Sequence, residues 1–241
     1  LTLITDANGH TTGFQYDALN RQIKKTWNDG SFELFGYDAV GNMTSHQLAD
    51  NPAHINSTTY DALNRITDVS YFDGQHTHYD YTPTGQRAQV TLTDSGGRHD
   101  VTTYVYDNRD RVTHIAQSNG NFVAYSYDAN NNRLSLTASN GATNIVTNYT
   151  YDDANQLSTA AEGSAGTFAY NYDNAGLRQQ MTYPNGITVN YGYDPLNRLN
   201  HVRQSTVSGT LASYDYSLDK VGNRLKVTEA DGSFVQWAYD D

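Results

Sequence analysis

Residues 193–199 read Tyr193-Asp194-Pro195-Leu196-Asn197-Arg198-Leu199. An aromatic residue is followed by an Asp that can bond its own backbone two residues on. Three positions after that Asp comes a residue type that tolerates positive φ, and then Arg. This is the pattern of a strand end, a turn of fixed geometry and the start of a second strand. Tyr191 lies two residues before the anchor Tyr193. A spacing of two puts both rings on one face of a strand.

The unit recurs along the whole chain. Tyr16-Asp17 leads to Asn20-Arg21, Tyr60-Asp61 to Asn64-Arg65, and Tyr106-Asp107 to Asp110-Arg111. Tyr127-Asp128 leads to Asn131 and Arg133, and Tyr172-Asp173 to Gly176 and Arg178. Weaker copies start at Tyr37, Tyr81, Tyr151-Asp152 and Leu218, the last with Gly222 and Arg224, and a truncated copy starts at Tyr239. Steps between anchors are 21, 23, 21, 25, 21, 24, 21, 21, 25 and 21 residues. A fixed period of this size is the signature of a repeat architecture.

Four residues after the first ten anchors stand Asn20, Gly41, Asn64, Gly85, Asp110, Asn131, Asn155, Gly176, Asn197 and Gly222. Midway between anchors lie Asp29-Gly30, Asp73-Gly74, Asn119-Gly120, Asn140-Gly141, Asn185-Gly186 and Asp231-Gly232. These dipeptides are strong hairpin signals. The residue two before the anchor is aromatic in every copy except the one with Thr58. Following strands carry pairs such as Ile66 and Val69, Val112 and Ile115, or Leu225 and Val227.

The expected fold is therefore all-β: tandem hairpins, about twenty strands in one long antiparallel sheet that curls or spirals. Residues 1–241 read as a single repeat array of about ten copies with no internal boundary. No window holds a sustained helical period. With 20 Tyr and few aliphatic residues, a stripe of rings is expected to serve as the core. Central rings at Tyr125, Tyr127, Tyr170 and Tyr172 are then expected to cost about 3 kcal/mol or more when cut to Ala.

Composition excludes several classes. The chain lacks Cys, so it holds no disulfide, Cys-ligated metal or thiol nucleophile. A formal charge of −11, with 15 Lys and Arg, argues against a nucleic-acid partner. No apolar run reaches the length of a membrane span. The chain opens on Leu1 without a charged-then-apolar leader, and it reads as a piece of a longer protein or a processed product.

The repeated Tyr-Asp-x-x-Gly/Asn-Arg-Leu unit resembles the YD repeat of RHS proteins, from about Phe14 to Asp240. That family includes bacterial RHS and polymorphic toxins, shell components of insecticidal toxin complexes, and teneurins. The resemblance implies a β-sheet that winds into a hollow shell, enclosing a C-terminal toxic domain in the bacterial members. The RHS core signature, an Asp-Pro-x-Gly-Leu-like segment, is absent: Asp194-Pro195 lies inside an ordinary repeat. Neither a self-cleavage site nor a toxin carries over to these residues.

Candidate chemistry is sparse. Eight of the 11 Arg follow a turn by one or two residues: Arg21, Arg65, Arg87, Arg111, Arg133, Arg178, Arg198 and Arg224. They read as turn clamps on Asp or a carbonyl, with their stems over rings. His76-x-His78 puts two imidazoles on one strand face without an evident third ligand. Asp128-x-Asn130-x-Asn132 opens like a calcium loop, but Arg133 and Ser139 stand where Gly and Glu belong. No catalytic, metal or cofactor residue is assigned, and no enzyme activity is expected. The expected role is a non-enzymatic wall segment of a shell in a larger exported bacterial toxin-type protein. Its partners would be the rest of its own chain and a cargo domain. The alternative is an extracellular adhesin-like module that binds cell-surface carbohydrate on its rings.

Overall fold

The turns set the architecture. In the computed structural model, which describes residues 2–239, the first ten anchors are each followed four residues later by a backbone with positive φ. Asn and Asp take values near the left-handed minimum, such as 59° at Asn20, 60° at Asn64 and 61° at Asn197. Gly stands where φ goes further, to 104° at Gly41 and 100° at Gly85 and Gly222. The midway hairpins turn the same way except at Asn140-Gly141, where a four-residue loop has the Asn140 amide donating to the Thr143 carbonyl. In both kinds the amide of residue i donates to the carbonyl of i+4, and the amide of i+3 donates back to the carbonyl of i. Asp17 to Arg21 shows it for the Tyr-Asp turn, and Trp27 to Ser31 for Asp29-Gly30. Only the fourth residue has positive φ, so Asp29-Gly30 belongs to a three-residue loop and not to a two-residue one. Two sequence signatures thus encode one turn.

Among the described residues the result is 22 strands and a single 3₁₀ turn, Gly163–Ala165. Residue contacts divide the chain into units 1–122 and 123–241, the division falling at the first residue of the strand Phe122–Tyr127. In the first unit, strands from Leu3–Thr5 to Val112–Gln117 pair antiparallel, each with its chain neighbours. In the second unit, strands from Arg133–Ser139 to Phe234–Gln236 do the same. The fold is an all-β antiparallel meander.

A bulge accompanies each Tyr-Asp turn in these ladders. Tyr106 pairs with Val112 and Tyr104 with Ile115, so the second strand carries one more residue than the first. Likewise Tyr60 pairs with Ile66 and Thr58 with Val69. The extra residue brings side chains three apart onto one face. This explains the spacing of Ile66 and Val69. In the last full copy Leu225 is itself the extra residue, between Arg224, which pairs with Leu218, and Val227, which pairs with Tyr216.

Register gives the two faces opposite characters. One collects the anchor ring, the ring two before it and aliphatic partners, as in Tyr170 opposite Met181 and Met181 opposite Val189. The other collects Ser, Thr, Asn, Gln and His, as in Asn171 opposite Gln180 and Gln180 opposite Asn190. Among the described residues only Val189 and Thr77 are buried, and no large side chain is fully enclosed. The expectation of a buried ring core is corrected accordingly. The rings pair sideways along the ladders and stay half-buried.

Candidate functional site

Each Tyr-Asp turn is built around its Asp. Asp17 Oδ1 accepts from the amides of Leu19 and Arg21, both at 2.9 Å. Its Oδ2 accepts from Arg21 Nε and Nη2, both at 2.7 Å. Asp61 with Arg65, and Asp107 with Arg111, repeat this bidentate clamp, and Asp194 takes Arg198 Nε at 2.7 Å. Donation from the Arg21 amide, and next from its guanidinium, holds the Asp17 carboxyl below its usual range. The same donors from Arg65 and Arg198 depress Asp61 and Asp194, and for Asp107 the Arg111 side chain is the larger cause. Where the fifth residue after the anchor is Asn, its amide replaces the guanidinium: Asn132 Nδ2 donates to Asp128 Oδ2 at 2.9 Å. Asp152 and Asp173 each receive two turn amides.

Arg one residue later does something else. Arg178 lies 4.4 Å from the Tyr191 ring centre and Arg224 4.4 Å from that of Tyr216. Arg133 lies 4.7 Å from that of Tyr149. The sequence groups these eight Arg together, but they form two devices: turn clamps at the fifth position, of which Arg21 and Arg65 also lie over a ring, and ring covers without a clamp at the sixth.

The anchor phenols join neighbouring copies. Tyr37 Oη donates to the carbonyl of Gln22, Tyr60 to Met43, Tyr81 to Ile66 and Tyr106 to Arg87. In the second unit Tyr151 donates to Arg133, Tyr172 to Leu157, Tyr193 to Arg178 and Tyr239 to Arg224. The distances run from 2.7 to 3.0 Å. Every acceptor is the residue six after the preceding anchor. Sequence reasoning missed this bond, though a signal existed: anchors are Tyr in all copies but Leu218, whereas Phe and Trp are accepted two residues earlier. Gly176 and Gly222 turn the chain at φ of 81° and 100°. Tyr127 stacks with Tyr125, ring centres 6.4 Å apart.

His76 and His78 meet a partner that spacing did not show. His78 Nδ1 lies 2.7 Å and His76 Nε2 3.1 Å from Asp68 Oδ1 on the adjacent strand. His78 Nε2 lies 3.3 Å from Asp80 Oδ1. The Asp68 hydrogen bond raises the His78 imidazole above its usual value. Burial pushes Asp68 up, but hydrogen bonds from His78 and Thr59 outweigh it. Among the described residues, no three His, Asp or Glu are disposed to hold a metal ion. The Asp128 carboxylate receives the Asn130 and Asn132 amides of its own turn. What these sites do chemically is hold turns and join repeats.

Residues 92–241 match the family model described as Teneurin YD-shell, and residues 1–31 match that described as RHS Repeat. The chain belongs to the teneurin YD-shell family. No curated protein sequence matches it. Among solved structures, TcdB2-TccC3-TEV aligns with 95% of the YD-shell chain at 17% identity and a TM-score of 0.54. TcdB2-TccC3-Cdc42 aligns with 94% at 18% identity and a TM-score of 0.53. A form of TcdB2-TccC3 without its hypervariable C-terminal region aligns with 95% at 17% identity and a TM-score of 0.53. These likenesses show a shared fold. The YD-shell chain spans 14% of the length of each of these structures.

Proposed function

We propose that this chain is a length of shell wall, non-enzymatic, within a larger exported bacterial protein of toxin type, where it helps enclose a C-terminal cargo domain. The observation that carries the reading is the phenol-to-carbonyl bond between successive copies, repeated in both units. It joins repeats, and the commitment of each clamped Asp to its own turn supports a structural role. The small share of the matched structures that this chain spans supports a place in a longer wall. TcdB2-TccC3 has a hypervariable C-terminal region, and by analogy the cargo here lies beyond the wall.

The test is limited proteolysis of the product of the whole reading frame. The cargo should resist cleavage until urea unfolds the wall. Cleavage at the rate of the isolated cargo defeats the proposal. The half-exposed rings favour a second reading, carbohydrate binding. A glycan array on this chain addresses it: saturable binding, lost on Tyr→Ala without a change in stability, would put an adhesin in place of the wall.

A further inference from the structure

One copy breaks the phenol rule. Position 218 is the anchor of its repeat, and it holds Leu. What surrounds it is otherwise intact. In the first copy Arg21 bonds Asp17 through Nε at 2.7 Å and the Asp38 carbonyl through Nη1 at 2.9 Å. Its guanidinium then lies 4.8 Å from the centre of the Tyr37 ring, whose hydroxyl reaches the Gln22 carbonyl. Arg65, Tyr81 and the Ile66 carbonyl repeat this arrangement, with the guanidinium 4.3 Å from the ring centre. Arg198 is held in the same frame, by Asp194 through Nε at 2.7 Å and by the Asp219 carbonyl through Nη1 at 2.7 Å. The ring that would lie against it is missing, and the Leu199 carbonyl receives no phenol. A cleft of about 470 Å³ opens there, lined by Arg198, Leu199, Leu218, Arg224, Trp237 and Tyr239. That volume falls within the range of small-molecule sites.

We propose that this cleft binds a phenol ring, whether a free small phenol or the side chain of a tyrosine on a peptide. The guanidinium of Arg198 would cover the ring face, as its counterparts do elsewhere. The hydroxyl would donate to the Leu199 carbonyl, the acceptor that the repeat already provides. Leu218 and Trp237 supply apolar walls. The site is a gap in a repeating pattern, and the pattern names the ligand.

The experiment is titration of the full chain with p-cresol, followed by the indole N–H resonances of Trp237 and Trp27. Trp27 lies in the other unit and serves as an internal control. Cresol should shift Trp237 and leave Trp27 unmoved. Toluene, which lacks the hydroxyl, should bind about threefold to tenfold more weakly, the worth of one hydrogen bond. L218Y should fill the cleft and lower cresol affinity by about tenfold or more. N-acetyl-tyrosinamide distinguishes the sources: binding by both ligands supports a peptide tyrosine, and binding by cresol alone supports a free phenol. No shift of Trp237 overturns the proposal. So does toluene binding as well as cresol, unchanged binding in L218Y, or an L218Y chain that fails to fold, since a phenol-shaped gap must accept tyrosine.

Discussion

The anchor hydroxyl contributes something that the ring alone does not. Tyr172→Phe keeps the ring and removes the bond to the Leu157 carbonyl, a loss of about 1 kcal/mol. Tyr191→Phe should be close to neutral, because that ring stands two before its anchor, lies against Arg178, and its hydroxyl bonds no described residue. Urea unfolding of both variants checks this, and equal losses would contradict the role given to the bond. The turn carboxylates make stability depend on acid. Asp17, Asp61, Asp107 and Asp194 all titrate below the ordinary value of 3.8 in the folded chain. Their contribution is complete above that value and is lost as pH falls through the depressed ones. The Asp→Asn variants should therefore flatten the acid limb of a melting-temperature profile. His78 acts in the opposite sense. Its value is raised above 6.5, so its contribution is complete below 6.5 and disappears as pH rises through the raised value. His78→Gln should remove that alkaline decline, and an unchanged profile would show that the Asp68 contact adds no stability.

At the scale of the element, φ explains the choice between Asn and Gly. Gly176 at 81° lies nearer to the values adopted by Asn than does Gly222 at 100°. Val at either position should cost about 1–3 kcal/mol, because a β-branched residue resists positive φ. Asn should be mild at 176 and costlier at 222; chemical denaturation ranks the four variants, and a cheap Val at both would refute the turn geometry. Strand residues need a smaller figure than the sequence suggests. The half-buried rings of Tyr125, Tyr127 and Tyr170 realise only part of the roughly 1.5–3 kcal/mol of full burial. Cross-strand pairing adds about 0.2–1 kcal/mol. Tyr→Ala should thus cost about 1–2.5 kcal/mol in the same assay, below the value for a closed core. The turn positions were legible in the sequence because each is decided by one residue's own backbone. The bulge, the shared loop of the two turn types and the half-exposure of the rings were not. They depend on what lies across the ladder or above the sheet, and a strand's residue order does not carry that. The Asp68 contact of His76 and His78 was hidden for the same reason.

Across the whole molecule, the repeat was readable from spacing and its family from the resemblance of the Tyr-Asp-x-x-Gly/Asn-Arg-Leu unit to the YD repeat, whereas the gap at Leu218 acquires meaning only beside the frame that surrounds it. Among the described residues the acidic side chains are spread over the turns and not gathered into a cage, so calcium or a chelator should leave the melting temperature nearly unchanged. A large rise with calcium would contradict this and point back to the Asp128 turn. In each unit every ladder described joins strands adjacent in the chain. No segment has to wait for a distant one before it can pair, so the sheet can grow behind the ribosome one hairpin at a time as each Asp-centred loop closes. The same adjacency governs how it comes apart under tension. A chain held by its ends would peel from its edge strands, each detached repeat of 21–25 residues lengthening the tether by roughly 70–90 Å. Force–extension traces would show a staircase of near-equal steps, where a domain with interlocked strands would give one large rupture.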